Sequence, residues 1–185
     1  MQEVENILRI LKETKDSLKK EDSQKLKLLS DQTIHSATIY QDSDNIIVAV
    51  LVYSISKMIQ RQNYKQIKGW NNFYRLLLKD LDKTISSLQK KDIESARESL
   101  GEIRNSVNEI ESNLRTYIQD IFIKAGINKA FKIYEHGLSS EKTAELLGIS
   151  LWDLSSYIGQ SNISEQTLSG MPVKERIKIA EDFFK

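Results

Sequence analysis

Cysteine is absent from the 185 residues, which excludes a disulfide framework, a thiol nucleophile and a thiolate metal site. Proline occurs once and glycine seven times, so few positions favour tight turns, and long helices are expected. Only two histidines occur, His35 and His136. Charge of one sign is also lacking. Charged residues make up 29% of the chain, yet the formal net charge is +1, so whole-molecule attraction to nucleic acid is excluded and only local charge can act. The longest apolar run, Ile46 to Tyr53, is too short to span a bilayer. The start, Met-Gln-Glu-Val-Glu-Asn, has no basic segment followed by an apolar one, so no signal peptide and a cytoplasmic location are expected.

Hydrophobic residues account for 39% of the chain, enough for a substantial core. Val4, Leu8, Leu11 and Leu18 share one helical face, and a second amphipathic stretch from about Ser23 to Tyr40 carries Leu26, Leu29, Ile34, Ala37 and Tyr40. Gln41 to Asp44 reads as a break with an aspartate as N-cap. The run Ile46 to Tyr53 is β-branched, but no other segment alternates to pair with a strand. Its pattern continues at helical spacing through Ile55, Met58 and Ile59, so a buried central helix is expected.

The clearest periodicity is Ile67, Trp70, Tyr74, Leu77, Leu81, Thr84, Leu88, then, after Lys90-Lys91-Asp92, Ile93, Ala96, Leu100, Ile103, Val107, Ile110, Leu114, Tyr117, Ile121. This three-four alternation is a heptad pattern, and the short polar link predicts a long antiparallel helical hairpin with Asp92 as N-cap. A continuous second arm would be roughly 45 Å long. No internal repeat is apparent. Gly126 marks a boundary between residues 1–126, a helical bundle, and residues 127–185, where glycines and Pro172 crowd together. The fold expected is all-α.

The strongest motif runs Leu138-Ser-Ser-Glu-Lys-Thr-Ala-Glu-Leu-Leu-Gly-Ile-Ser-Leu-Trp-Asp-Leu-Ser-Ser-Tyr157. Ser139 or Ser140 can cap a first helix, Ala144 permits close crossing, Gly148 suits the turn, and Ser150 can cap a second helix. The segment resembles the helix-turn-helix of prokaryotic DNA-binding regulators and is similar to small antitoxin-like proteins, over about twenty residues. The resemblance implies that the second helix enters the major groove, with Trp152, Ser155, Ser156 and Gln160 facing out. That helix carries no Lys or Arg, and residues 137–185 hold five basic residues against seven acidic ones, so the segment neutralises few phosphates. Docking or dimerisation is the other use of such a unit.

From Lys57 to Lys79 no acidic residue occurs. Lys57, Arg61, Lys65 and Lys68 would share one face of a helix continuing that far, with Tyr64, Trp70, Phe73 and Tyr74 interleaved. Charge beside aromatic planes suits DNA, RNA or an acidic protein partner.

No constellation for catalysis is present. The lysine-glycine that follows the histidine in phosphotransfer domains is missing after His35, no histidine follows Arg104-Asn105, and no glycine-rich phosphate loop occurs. Neither a metal site nor a cofactor nor enzymatic activity is expected. The expected function is nucleic-acid-associated regulation. The alternative is a protein-interaction adaptor or antitoxin-like module, and in either case a homodimer.

Overall fold

The computed structural model describes residues 1–40, 42–61, 63–106, 112–136, 138–147 and 155, and they form an all-α bundle. Helix α1 spans Val4–Lys19, α2 Ser23–Tyr40, α3 Ser43–Gln60, α4 Trp70–Gln89, α5 Ile93–Ser106, α6 Ser112–Glu135 and α7 Ser140–Leu147. A single 3-10 turn, Tyr64–Gln66, lies between α3 and α4.

The β-branched run becomes α3. Ile46, Val48, Ala49, Leu51, Val52, Ile55 and Met58 are all buried, so apolar side chains on nearly every face make this helix the centre of the bundle. Asp42 caps it, its carboxylate accepting from the Asp44 backbone N–H at 3.0 Å. Helices α1, α2, α6 and α7 all pack on α3. Two small side chains allow α2 to approach closely: Ser30 donates to the Ala49 carbonyl at 2.7 Å, and Ser56 donates to the Ser23 carbonyl at 2.8 Å.

Two turns join their helices identically. At Lys20-Glu21-Asp22, Glu21 takes a left-handed φ of 56°, and the Asp22 N–H reaches back to the Ser17 carbonyl at 2.9 Å. At Lys90-Lys91-Asp92, Lys91 has φ 61° and the Asp92 N–H bonds the Ser87 carbonyl at 2.9 Å. Each closes one helix by a Schellman motif and starts the next. Asp22 accepts from the Lys25 N–H at 2.9 Å, and Asp92 from the Ser95 N–H at 3.1 Å.

The likeness extends beyond the turns and overturns the expectation of no internal repeat. Shifting the chain by 70 positions superposes Leu8, Leu11, Thr14, Ser17, Leu18, Lys20 and Asp22 on the same residue types at Leu78, Leu81, Thr84, Ser87, Leu88, Lys90 and Asp92. Burial follows the same shift: Leu11 and Leu81, Thr14 and Thr84, and Leu26 and Ala96 are all at 0% exposure. It continues from α3 into α6, where Val48 and Ile118, and Ile55 and Ala125, are buried in equivalent places. The three-helix series α1–α2–α3 therefore recurs as α4–α5–α6. Equivalent helices meet, α1 against α4 and α3 against α6, as in a self-complementary pair.

Of the heptad arm from Ile93 to Ile121, residues 107–111 lie outside the described residues; α5 runs to Ser106, α6 begins at Ser112, and α6 packs on α3 and α2. Gly126, the expected boundary, lies within α6, which runs to Glu135. A helix covered on both sides tolerates one glycine at a cost of about 1 kcal/mol. The helix carrying Lys57 stops at Gln60, and Arg61 is extended with ψ 129°.

Ile103→Ala or Leu114→Ala should cost roughly 2–5 kcal/mol, since both side chains are buried, whereas exposed Glu102→Ala should cost little. Urea denaturation midpoints check this. Glu21→Gly and Lys91→Gly should each raise stability by up to about 1 kcal/mol by relieving left-handed backbone strain. A lowered midpoint in both would contradict the strain.

Candidate functional site

The four cations expected to form one basic face are distributed differently. Lys57 lies in the last turn of α3, donating to the Gln60 side chain at 3.0 Å, with its ammonium 5.3 Å from the Tyr53 ring centre. The Arg61 guanidinium stands 4.4 Å from the Tyr117 ring centre of α6, a cation–π contact. Lys65 is in the 3-10 turn and is ion-paired with Glu21. Lys68 follows that turn, outside α3. The helix break therefore sends these side chains to different partners. The interleaved aromatics turn inward. Tyr64, Trp70 and Phe73 are buried, with Tyr64 and Trp70 edge to face at 4.7 Å. Burial, together with the bond to Glu21, pushes the Tyr64 hydroxyl up to about 12.

Of the helix-turn-helix residues, Trp152, Ser156 and Gln160 lie outside the described residues, and Ser155 is exposed. The segment expected as its first helix is helical, as α7. Ser139 caps it, the hydroxyl accepting from the Lys142 N–H at 3.2 Å. Thr143 and Ala144 are buried, and α7 packs on α6 and α3.

A cluster missed in the sequence forms where α2 meets α6. Lys27, Asp31 and His35 recur every four residues along α2, and Lys129, Lys132 and His136 fall at helical spacing toward the end of α6. The Asp31 carboxylate accepts from Lys129 at 2.8 Å and from Lys132 at 2.7 Å. Lys129 is at 0% exposure, and its ammonium lies 4.1 Å from the Tyr53 ring centre on α3. Burial pushes its pKa down, and the bond to Asp31 restores part of the loss, leaving it at about 8. Lys132 and Lys27 oppose its charge further. Burial likewise pushes the Asp31 carboxyl up, but the two lysine bonds more than offset this and hold it below the usual carboxylate range.

At the far end of the seam the two histidines meet. His35 and His136 are 101 positions apart in the chain, yet their rings lie 5.9 Å apart, edge to face, and both are exposed. The sequence carried a signal for this in the four-residue spacing of Asp31 and His35 and of Lys132 and His136. That signal could not be read without knowing that α2 and α6 are neighbours.

Two lysines thus share one carboxylate, with Lys27 and His35 on α2 and His136 directly after α6. The seam runs toward α7, whose leading residue Leu138 packs near Ile34, Ala37 and Ile133. Chemically, the arrangement offers ammonium and imidazole donors to an anion, or imidazole nitrogens to a cation. Among the described residues no group of three or more His, Asp or Glu is placed to hold a metal ion. No helix among them is long and apolar enough to cross a membrane. No known protein family, no curated protein and no solved structure matches this chain.

The depressed Lys129 pKa has a measurable consequence. Folding holds this lysine below the 10.5 of an ordinary lysine, so from about pH 8 upward the unfolded chain binds the extra proton. Stability should therefore rise between pH 8 and 9.5, below the range where tyrosines ionise, by on the order of 1–2 kcal/mol. Lys129→Met should abolish the rise. Urea midpoints that fall across this window in the parent would exclude a desolvated lysine.

Proposed function

We propose that this protein is a nucleic-acid-associated regulator. In this reading the seam of Lys27, Lys132 and the two histidines contacts phosphates, while the C-terminal helix-turn-helix makes the selective contacts. The observation that carries it is the position of the cation-rich seam, which leads along α2 and α6 to the foot of α7. A regulator of this kind needs a positive surface continuous with its reading helix, because affinity comes from phosphate neutralisation and selectivity from base contacts. The face first expected, Lys57 to Lys68, is divided among Tyr53, Tyr117 and Glu21, whereas in the seam Lys132 is paired with Asp31 and Lys27 is exposed. In this proposal residues 127–185 form the helix-turn-helix unit and the active species is a homodimer.

A second reading is favoured by a separate observation. On either side of the α2–α3 turn, Ile39, Tyr40 and Ile47 are exposed at 60%, 43% and 50%. Side chains of this size in water mark contact surfaces when they gather. They support the adaptor or antitoxin-like function, with α7 and its neighbours as the docking unit.

Salt-dependent binding to random duplex DNA separates the two. Lys27→Gln with Lys132→Gln should weaken binding and flatten the plot of log affinity against log salt by about 0.9 for each lost phosphate contact. Replacing Lys57, Arg61, Lys65 and Lys68 by Gln should flatten it by less than those four charges would if all touched phosphate. Trp152→Ala or Ser155→Ala should change sequence preference at nearly constant slope. DNA binding that is absent in the parent, with Trp152→Ala abolishing a protein contact, would establish the adaptor instead.

A further inference from the structure

We propose that His35 and His136 form a two-nitrogen site for a borderline divalent cation of the Zn²⁺, Ni²⁺ or Cu²⁺ class, clamping α2 to α6. The chain contains no other histidine and no cysteine, so nitrogen or sulfur ligation of such a cation has no other side-chain donors to use. The two rings come from distant parts of the chain and lie 5.9 Å apart at an interplanar angle of 64°. Zinc-bound imidazole nitrogens sit 2.0–2.1 Å from the metal, which puts each ring centre about 3.2 Å away. Two rings on one ion are then about 5 Å apart at a tetrahedral angle and about 6.3 Å when opposed. The observed separation falls within that span. Both rings are exposed, which leaves the remaining coordination positions to water.

The surroundings define the cation. Lys129 and Lys132 share Asp31 one turn below, so that carboxylate is already engaged, and among the described residues no group of three or more His, Asp or Glu is placed to hold a metal ion. Hard cations such as Mg²⁺, which need several oxygen donors, are therefore disfavoured, while neutral imidazoles still attract borderline ions. His35 lies within α2, and His136 directly follows α6, its N–H bonded to the Lys132 carbonyl at 3.2 Å. Bringing the nitrogens together consequently costs little conformational entropy beyond the two rings. This site shares its two histidines with the seam of the nucleic-acid reading but needs no phosphate contact, so titration with metal in the absence of nucleic acid tests it separately.

Calorimetric titration of the full chain with NiCl₂ and ZnCl₂, with MgCl₂ as the control, tests the proposal. One Ni²⁺ or Zn²⁺ should bind saturably, and Mg²⁺ should not. His35→Gln and His136→Gln should each lose at least the roughly 10–100-fold in affinity that removal of a supporting group alone costs, and the double variant should lose saturable binding. Without metal both variants should keep the parent's circular dichroism and unfolding midpoint, because the side chains are exposed. With metal, the parent's midpoint should rise with Ni²⁺ concentration and the variants' should not. Equal Ni²⁺ binding by the parent and the His35→Gln, His136→Gln double variant would overturn the site, and so would the absence of saturable binding to the parent.

Discussion

Because Ile46, Val48, Ala49, Leu51, Val52, Ile55 and Met58 of α3 are all buried, that helix needs a cover around most of its circumference, and the bundle is the shape of that cover. Helices α1, α2, α6 and α7 each occupy part of its surface. This requirement is met in part by α6, which packs on α3. It also brings α7 into the bundle, because a helix beginning four residues beyond the end of α6 remains beside α3.

Covering an apolar helix with amphipathic ones has electrostatic consequences. Every helix in the cover carries polar residues, and where two of them meet over α3 some are caught near the core. Lys129 is the extreme case, fully buried between the Tyr53 ring and Asp31. Burying an ion pair often adds no net stability, because desolvation offsets the attraction. The pair does tie α2 to α6 at one point, since Lys129 and Lys132 of α6 both bond Asp31 of α2 in the alignment the two helices adopt. The same alignment brings His35 against His136, one turn further along each helix.

Much of the secondary structure was legible in the residues. The heptad spacing of Trp70, Leu77, Leu81 and Leu88 forms the buried side of α4, and the β-branched run reads correctly as a helix because no segment could pair with it as a strand. Asp42 and Asp92 act as caps, as their positions suggest. The turns were harder. Glu21 and Lys91 occupy left-handed positions where glycine is the expected residue, so the usual marker of a helix end is missing. The repeat was legible in retrospect as Leu-x-x-Leu-x-x-Thr-x-x-Ser-Leu-x-Lys-x-Asp, but outside those fifteen positions the halves share mainly burial, which single-residue identity does not display. The basic face failed for a local reason: four residues of suitable spacing require a continuous helix, and α3 ends before the second of them. The α2–α6 seam was illegible because its members are about a hundred positions apart.

The recurrence of three helices divides the chain into two like halves joined covalently. Once joined, the halves no longer need to be alike. Where one half has Asp31 and His35, the other has Gly101 and Asn105, so the ionic seam exists on one side only. A symmetric dimer of identical chains would display every such feature twice, at opposite ends. Joined and diverged, the molecule instead has a front and a back. The surfaces that would have paired two separate copies, α1 with α4 and α3 with α6, are already satisfied within one chain. Any association between two molecules must therefore use a face that did not hold the halves together.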